Sequence, residues 1–377
     1  MVSCEEEIEE DFKKMRKHMK DYEESSCCYC TLFNAFYLER GITMLRSLIA
    51  HSNEIRIYVL AMDDSTFEIL EKIRLPKVVM IRHGDFASAK LLAVKKQRTA
   101  AEYCWTCTAS FIQYILEEYQ EEVCTYLDAD LFFYKNPYEL VKEMLDAGCS
   151  VQIVEHRFGK GIFAEHMRKY SGTFCVQFNT FLNNGDAKQI LDAWAEQCIK
   201  CCSSIQNGKT LGDQKYLEEW PQKYDCVHIL HNEGGGMAPW NIHQYRLWNA
   251  ENGIVQIENK KNKEVIELVF YHYHGLQFLK NGKIDLNIFT RNPGIEKKLV
   301  EFLYRPYIKK VLKEKKYLEE KFILLTVQEK YNMQVGKTRR AKREIKWEDI
   351  GEKLYCKWRE LLLKTQKKKD YWNYNEE

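Results

Sequence analysis

Short apolar segments alternate with segments of helical periodicity along much of the chain, and this alternation constrains the fold most strongly. Near-continuous apolar runs occur at Tyr29–Phe33, within residues 54–64 and 78–83, and at Val123–Leu127, and helical patterns separate them. Two further strands are predicted at Ser150–Glu155 and Phe174–Leu182, with helices at 137–147 and 187–201. Strands buried on both faces have this continuous apolar character, and their alternation with helices is typical of α/β folds. The sequence therefore predicts a mixed, mostly parallel sheet flanked by helices.

Length and composition allow a large core and indicate three segments. The chain has 377 residues, of which 45% are hydrophobic. Residues 1–25 are predicted to form a charged N-terminal arm, residues 26–285 the α/β domain and residues 286–377 a basic helical C-terminal region. No apolar run reaches the roughly 18 residues of a membrane span, and the N-terminus lacks the apolar centre of an export signal. We therefore expect a cytoplasmic protein.

Positive charge is concentrated near the C-terminus. Residues 301–377 carry 21 Lys and Arg against 13 Asp and Glu, a net +8, whereas the whole chain carries +2. Cations and aromatic residues occur together here, which suits a peripheral contact with an anionic membrane, on its inner face for a cytoplasmic protein. The pattern also fits a solvated helical surface, and a nucleic-acid partner is the least favoured of the three.

The 14 cysteines are scattered through the sequence, and they include two C-x-x-C pairs, Cys104/Cys107 and Cys198/Cys201. Four thiolates would suit zinc. Both pairs lie in segments of helical periodicity, however, where a buried free cysteine is a common core residue. In a chain without an export signal, reduced thiols are the better interpretation, and the sequence leaves zinc open.

Two carboxylates follow the apolar run 123–127 directly, in the stretch TYLDADLFFYKNP. Asp128 and Asp130 lie two residues apart at a predicted strand end, so that their side chains can share one face. An EF-hand is excluded because Phe132 and Phe133 occupy positions that need a ligand and a glycine. A glycosidase-like acid/base pair is weaker, since no partner group is evident. A clamp for Mg²⁺ or Mn²⁺ fits best, because these ions prefer oxygen ligands and complete their shells with substrate phosphates.

Two later segments support a metal and phosphate site. In LVFYHYHGL, predicted as the last strand, His272 and His274 lie two residues apart, and an imidazole can complete the ligand shell of Mn²⁺. In HNEGGGMAPWN, three consecutive glycines allow backbone N–H groups to approach a phosphate or sugar closely. Trp240 would offer an apolar wall in the same loop.

Together these segments resemble glycosyltransferases of the GT-A fold that use nucleotide sugars, and most of all the bacterial relatives of glycosyltransferase family 8. The resemblance extends over about residues 28–280 and rests on six segments in order: CTLFNAFYLERG, RTAAEYCWTCT, TYLDADLFFYKNP, GDQKYL, HNEGGGMAPWN and HYHG. It implies a Rossmann-like GT-A fold, a nucleotide-diphosphate sugar as donor, usually linked to UDP, and Mn²⁺ or Mg²⁺ as the ion. The acceptor would be a hydroxyl of a glycan, a lipid-linked molecule or a protein.

The resemblance also implies roles for individual residues. The metal ligands would be Asp128, Asp130 and His272, with His274 as the rival histidine. The residues near the reacting sugar would be Asp213 and Gln214. An inverting reaction would in addition need a base beside the acceptor, for which Glu155, His156 and Glu233 are the candidates, and His156 is also a candidate orienting group. The donor would be contacted by Thr31, Phe33, Asn34, Tyr37, Arg98, Glu102, Asp128, Ala129, Gly235, Gly236 and Trp240.

Two departures from family 8 are evident. Its Asn-x-Gly-Val strand corresponds here to FCVQFNTFLN, and its Lys-Pro-Trp loop corresponds to an APW that precedes HYHG. The Asp-Gln pair favours a retaining reaction. A sugar-1-phosphate nucleotidyltransferase is the alternative enzyme, but CTLFNAFYLERG lacks the glycine-rich, basic loop that binds a triphosphate. An inactive nucleotide-sugar-binding module is disfavoured because both the acidic pair and the histidine pair are present.

Overall fold

The structure is a computed structural model, and it describes residues 22–205, 210–251, 253–279, 282–288, 295–322 and 371–373. The strands are β1 (Cys27–Phe33), β2 (Arg56–Ala61), β3 (Val78–Arg82), β4 (Val123–Leu127), β5 (Leu131–Phe133), β6 (Val151–Glu155), β7 (Phe174–Leu182), β8 (Val227–Ile229), β9 (Tyr245–Glu251), β10 (Ile254–Asn259), β11 (Val265–Glu267), β12 (Phe270–His272), β13 (Gln277–Phe278), β14 (Lys283–Asp285) and β15 (Tyr371–Asn373). The α-helices are α1 (Leu38–His51), α2 (Asp64–Ile73), α3 (His83–Phe86), α4 (Ala89–Lys95), α5 (Ala100–Glu118), α6 (Tyr138–Asp146), α7 (Ile162–Ser171), α8 (Gly185–Lys200), α9 (Trp220–Lys223) and α10 (Lys297–Lys321).

Seven strands form the central sheet, in the order β3-β2-β1-β4-β7-β6-β8. The first four strands in this order are parallel to one another. Strand β7 runs antiparallel to both of its neighbours, and β8 is parallel to β6. Strands β1, β4 and β7 are buried along their whole length, as expected for central strands covered on both faces. The prediction of a mixed, mostly parallel α/β sheet flanked by helices is confirmed.

Two apolar cores lie on the two faces of this sheet. One core contains Phe111 of α5 and Trp194 of α8. The other contains Leu45 of α1 and Leu140 of α6. Because the sheet is covered on both faces, the ends of its strands are the places where polar side chains can lie without a cost in desolvation.

Smaller pieces of sheet surround the carboxyl ends of the parallel strands. Strand β5, directly after the acidic pair, pairs antiparallel with β12. Strands β9, β10 and β11 form an antiparallel sheet, and β13, β14 and β15 form another. The prediction that residues 269–276 form the last strand is wrong, because the short strands β13, β14 and β15 follow it. These strands are only two or three residues long, so no apolar run marks them in the sequence.

Helix α10 confirms that the fold includes a C-terminal helix, at Lys297–Lys321. Its apolar side, with Leu303 and Tyr307, shares a third core with Tyr271 and Tyr273, which flank His272. Most of the predicted arm at 1–25, and of the chain after 322, lies outside the described residues, and the domain boundaries stay predictions. Among the described residues, no helix combines the length and apolarity that crossing a membrane requires.

Candidate functional site

Main-chain pairing places the acidic pair beside His272. The backbone N–H of Asp128 donates to the carbonyl of Gln177 on β7, with N and O 3.1 Å apart. Two residues later the carbonyl of Asp130 accepts from the N–H of Tyr273 at 2.9 Å. In the β5–β12 ladder His272 lies opposite Leu131. The histidine therefore meets the acids at the carboxyl end of β4, where α/β sheets bind ligands.

The side chains of this cluster converge. Nε2 of His272 lies 2.9 Å from Oδ1 of Asp130 and 3.7 Å from Oδ2 of Asp128. One donor atom each from Asp130, His272 and His274 lies within 4.8 Å of the others. Asp130 and His272 are buried, whereas His274 is exposed. Carboxylate oxygen with imidazole nitrogen is a donor set that suits Mn²⁺, and the oxygens alone suit Mg²⁺, so these residues fit the expected ion.

Gln177 fixes the orientation of His272. Its Oε1 lies 2.8 Å from Nδ1 of the imidazole, and both side chains are buried. An amide oxygen can only accept, so Nδ1 carries the proton, and Nε2 faces the two acids. Histidines that bind metals usually donate their other N–H in this way, which sets the tautomer and the ring orientation. Gln177 lies within FCVQFNTFLN, the segment that departs from family 8. Its role could not be predicted, because it depends on a strand pairing that the sequence does not display.

The charges of the cluster shift one another's protonation. Although burial raises it, the pKa of Asp130 lies below its usual range because of the adjacent His272. Burial raises the pKa of Asp128, and the neighbouring charges of Asp130 and Asp213 add to this effect. The pKa of His272 is raised because its contact with Asp130 outweighs burial. Such opposed shifts within a few ångströms are typical of functional sites rather than of surface ion pairs.

Asp213 is a third buried carboxyl close to this cluster. Burial raises its pKa to about 7, although hydrogen bonds that include one from Thr108 lower it. Its carbonyl accepts a hydrogen bond from the indole N–H of Trp194 at 2.9 Å. The next residue, Gln214, donates from Nε2 to the carbonyl of Ser171 at 2.5 Å and begins a short 3-10 helix, Gln214–Glu219. The charge of Asp213 therefore acts on Asp128, whereas the amide of Gln214 is held against the end of α7.

Aromatic side chains form one wall of the site. The ring of Trp240 lies edge-on to His272, His274 and His156, at centroid distances of 5.3, 5.5 and 5.0 Å. His156 stacks on Phe158 at 4.7 Å, and its Nδ1 lies 3.2 Å from the carbonyl of Thr173. Burial lowers the pKa of His156 to about 3. This imidazole is neutral near pH 7 and is a poor proton acceptor, so it suits an orienting role better than that of a general base.

The glycine loop lies against the sheet rather than open to solvent. Gly236 has φ +86°, and a Cβ there would lie 2.8 Å from Val154. A Cβ on Gly235 would lie 2.6 Å from a methyl group of Leu140. The guanidinium of Arg157 donates to the carbonyl of Gly235 at 2.6 Å. Glycine is needed here for close packing, and the sequence did not indicate that the loop is fastened this way.

The predicted donor-contacting residues near β1 divide into two groups. Tyr37 lies near the acids: burial raises its pKa to about 12, and the charge of Asp130 adds to that effect. Thr31 is buried, and its hydroxyl has no hydrogen-bond partner among the described residues. Asn34 accepts from the N–H of Phe36 at 3.1 Å. Phe33, in contrast, is a core residue that packs against α1, and its role in receiving a nucleoside stays a prediction.

Arg98 and Glu102 have structural partners, which the sequence did not reveal. The guanidinium of Arg98 donates to three carbonyls at the C-terminus of α8, among them that of Cys202 at 2.9 Å. Glu102 completes a capping box with Thr99 and accepts two hydrogen bonds from Ser204. These contacts fasten α5 to the chain after α8, and the contact of Arg98 and Glu102 with a donor stays a prediction.

Arg40 was missed by sequence analysis. Its side chain is buried, Nη2 donates to the carbonyl of Leu276 at 2.9 Å, and the guanidinium lies over the ring of Tyr37 at 4.9 Å. Burial raises the pKa of Asp130, and the charge of Arg40 adds to the larger lowering by His272 and His274. A buried cation beside the acidic cluster is a candidate phosphate contact, and its position on α1 gives no signal of this in the sequence.

The predicted cysteine pairs do not form a ligand group. Within the part of the chain that the structure describes, two groups bring three or more ligating atoms within 4.8 Å: Asp130 with His272 and His274, and Glu143 with His228 and His231. Cys104, Cys107, Cys198 and Cys201 are free thiols and belong to neither group. Burial raises the pKa of Cys104 to about 12, as expected of a core thiol.

The fold and site thus define a mixed α/β protein with a candidate metal and ligand site at the carboxyl edge of its sheet. No protein-family model matches the chain. Two proteins of Bacillus subtilis are similar in sequence, and both are described as uncharacterized. YfnD is 28% identical over 299 residues, covering 78% of this chain and 90% of its own length. YfnF is 27% identical over 262 residues, covering 68% and 84%.

Three solved structures share parts of the architecture at low similarity. Galactosyltransferase LgtC, in complex with donor and acceptor sugar analogs, has a TM-score of 0.45 and 12% identity and covers 81% of this chain and 99% of its own. Mouse xyloside xylosyltransferase 1, in its apo form, has a TM-score of 0.40 and 14% identity and covers 66% and 97%. Glycosyltransferase GlyE of Streptococcus pneumoniae TIGR4 has a TM-score of 0.37 and 18% identity and covers 56% and 46%.

Proposed function

We propose that this chain is a glycosyltransferase of the GT-A type that moves a sugar from a nucleotide-diphosphate sugar to an acceptor hydroxyl. The observation that carries this proposal is the convergence of Asp128, Asp130 and His272 at the carboxyl edge of the sheet, with Gln177 holding the histidine. Membership of glycosyltransferase family 8 is part of the proposal and rests on the resemblance of the motifs.

Asp128, Asp130 and His272 would hold Mn²⁺ or Mg²⁺, and His274 is the exposed alternative. When bound, the ion would balance the negative charge that develops on a departing diphosphate. Arg40 is proposed to add a fixed positive charge close to the phosphates, because its Nε is buried and has no hydrogen-bond partner among the described residues. Tyr37, over which this guanidinium lies, would contact the nucleoside.

Asp213 and Gln214 are proposed to bind the donor sugar. The pKa of Asp213, raised by burial to about 7, allows its carboxyl group to donate or accept a hydrogen bond to a sugar hydroxyl near neutral pH. The Asp-Gln pair favours retention of the anomeric configuration. His156, neutral and held against Thr173, would orient the acceptor hydroxyl, and Trp240 would exclude water from the reacting sugar.

UDP is the proposed nucleotide, and the acceptor belongs to a glycan, a lipid-linked molecule or a protein. Exposed lysines on α10, among them Lys309, Lys310 and Lys313, support a peripheral contact with an anionic membrane, which would suit a lipid-linked acceptor at the inner face of the cell membrane. If the protein pellets with anionic vesicles at low salt but not at high salt, this result would support the contact. Equal pelleting with neutral vesicles would contradict it.

The test of the function is a panel of UDP-, GDP- and CMP-sugars, with release of the free nucleotide measured in the presence of Mn²⁺. We expect release from one UDP-sugar and loss of at least 10²-fold in rate for Asp130→Asn, because removing one stabilising group commonly costs that much. The anomeric configuration of the product, read by NMR, tests retention. Release of pyrophosphate from UTP and a sugar phosphate would instead identify a nucleotidyltransferase. Nucleotide-sugar binding without release from any donor would identify an inactive binding module.

A further inference from the structure

A second cluster of ligating side chains lies at the opposite edge of the sheet from β3. Glu143, on α6, accepts three hydrogen bonds through its carboxylate. Oε1 lies 2.7 Å from Nε2 of His228, on the edge strand β8, and 2.6 Å from the backbone N of His231. Oε2 lies 3.0 Å from the backbone N of Asn232. Helix α6 and the chain leaving β8 are thus joined through one carboxylate.

The side chains around this carboxylate converge as well. Nδ1 of His231 lies 3.4 Å from Oε1 of Glu143, and the two imidazole rings are 5.2 Å apart at an angle of 83°. Contacts with the thiol of Cys149 and with Glu143 raise the pKa of His228 to about 9. One ligating atom each from Glu143, His228 and His231 lies within 4.8 Å of the others, so helix α6 and the chain at and after β8 supply a carboxylate and two imidazoles.

An ion pair between Glu143 and His228 explains only part of this arrangement. Such a pair needs one imidazolium and leaves no role for the ring of His231, whose side chain is 81% exposed yet turned to the same oxygen. The alternative is a metal ion that replaces the proton on His228. Ligand atoms about 2.0–2.3 Å from a tetrahedral ion lie roughly 3.3–3.8 Å apart. The 3.4 Å between Glu143 and His231 already has this spacing, whereas the 2.7 Å between Oε1 of Glu143 and Nε2 of His228 must lengthen when an ion enters.

We propose that Glu143, His228 and His231 form a binding site for Zn²⁺ or a similar borderline-soft divalent ion. Two imidazole nitrogens with a carboxylate oxygen select such an ion over Mg²⁺ and Ca²⁺, which prefer oxygen alone. With three protein ligands, a water molecule would complete the four-coordinate shell. Binding expels the proton of His228.

The site fixes the start of the glycine loop. His231 and Asn232 open the stretch 231–241, which continues through Gly235 and Gly236 to Trp240 in the wall of the first cluster. The carbonyls of Leu230 and Asn232 are also bound by Arg157, at 3.2 and 3.1 Å. A metal at Glu143 therefore stiffens the loop from one end while Arg157 holds its middle. This role is independent of the reaction that the first cluster performs.

The experiment uses the full chain with Asp130→Asn and His272→Ala, so that the first cluster no longer competes for metal. After treatment with a chelator, Zn²⁺ is titrated against a chromophoric competitor. We expect one equivalent to bind, and His231→Gln or His228→Asn to weaken binding at least tenfold. His51→Gln, which changes an exposed histidine on α1, is the matched control and leaves binding unchanged.

Substitution with Co²⁺ identifies the ligands directly. We expect the intense visible bands of a four-coordinate ion, which His228→Asn removes. Failure of the background variant to bind Zn²⁺ would overturn the proposal. Binding that His231→Gln leaves intact would also overturn it, and because that side chain is exposed, misfolding does not confuse this result. A cobalt spectrum that His228→Asn does not change would overturn the ligand assignment.

Discussion

Gln177→Leu tests whether the orientation of His272 matters for metal binding. The substitution keeps the side-chain size within the buried strand β7 and removes the acceptor that lies 2.8 Å from Nδ1 of His272. The imidazole N–H is then buried without a partner, and the ring is free to rotate or to change tautomer. Either change moves Nε2 away from Asp130, with which it is now in contact at 2.9 Å.

The expected magnitude follows from these contacts. Loss of the side chain that accepts the other N–H of a metal-bound histidine lowers metal affinity about 10–100-fold. This loss is equivalent to about 1.4–2.7 kcal/mol. Leucine also removes Nε2 of Gln177, which is buried without a hydrogen-bond partner among the described residues, and this gain offsets part of the lost hydrogen bond. We therefore expect the free energy of unfolding to fall by only about 1 kcal/mol, less than the loss in Mn²⁺ binding.

The assay measures free Mn²⁺ by electron paramagnetic resonance with each variant present. The matched control is Gln152→Leu, since Gln152 is a buried glutamine on the neighbouring strand β6 and neither of its amide atoms has a partner among the described residues. We expect Gln152→Leu to leave Mn²⁺ affinity unchanged and Gln177→Glu, which keeps an acceptor, to retain it within about tenfold. Equal Mn²⁺ affinity for Gln177→Leu and Gln152→Leu would refute the orienting role.

Three further predictions concern pH, charge and backbone strain. Because burial raises the pKa of Asp213 to about 7, the metal-free native state holds a proton that the unfolded chain has lost, so stability falls by about 1.4 kcal/mol per pH unit between about pH 4 and 7. The free energy of unfolding, measured in urea at several pH values in this window, should depend less steeply on pH for Asp213→Asn. An unchanged pH dependence would contradict the assignment. Glu121 is buried and accepts from Arg56 at 2.5 and 2.6 Å and from Tyr58 at 2.6 Å, so Glu121→Gln should lower the free energy of unfolding by about 1–3 kcal/mol. The exposed Glu117→Gln should change it by less than about 1 kcal/mol in the same urea experiment, and similar losses for both would argue against the buried network. Gly236→Ala should destabilise the protein by about 1–3 kcal/mol, because of its positive φ and the contact of the added Cβ with Val154. Gly253 has φ +82° and open space around it, so Gly253→Ala should show only the cost of the positive φ in thermal unfolding. Equal losses at the two glycines would remove the argument for close packing of the loop.

The sequence predicts the strands that appear as continuous runs of apolar residues. Strands β1, β4 and β7 appear as apolar runs because both of their faces are buried, and the Asp128–Asp130 pair is visible because it follows one of these runs. The small sheets around the site are not visible in this way. Strands such as β13 and β14 are short and half exposed, so periodicity does not distinguish them from loops.

Site residues are likewise predictable only where their signal is local in the sequence. His272 is predictable because its motif is local, whereas Gln177 and Arg40 act through partners 95 and 236 residues away. An aromatic side chain at a strand end, such as Phe33, gives the same signal whether it faces a ligand or the core. The partners of Arg98 are backbone carbonyls at the C-terminus of α8, and no side-chain pattern in the sequence records them.

The relative position of the acids and the histidine is set by strand register, and the register is held by core residues that touch no ligand. Phe270, next to Tyr271 on β12, stacks on Phe178 of β7 at 5.3 Å and lies 5.8 Å from Phe133 of β5. A slip of one residue in the β5–β12 pairing would turn His272 to the opposite face. Phe270→Ala opens a cavity at this junction and should cost about 3–5 kcal/mol in stability.

Because the cavity lies where three strands meet, the loss should extend to metal binding. Phe111→Ala is the matched control, since Phe111 is equally buried but belongs to the core on the other face of the sheet. Both variants should unfold at lower urea concentration, and Mn²⁺ affinity, measured on the folded protein, should fall only for Phe270→Ala. If the two variants bind Mn²⁺ equally well, the ligands are held by their own side-chain contacts, and the strand register does not control the site.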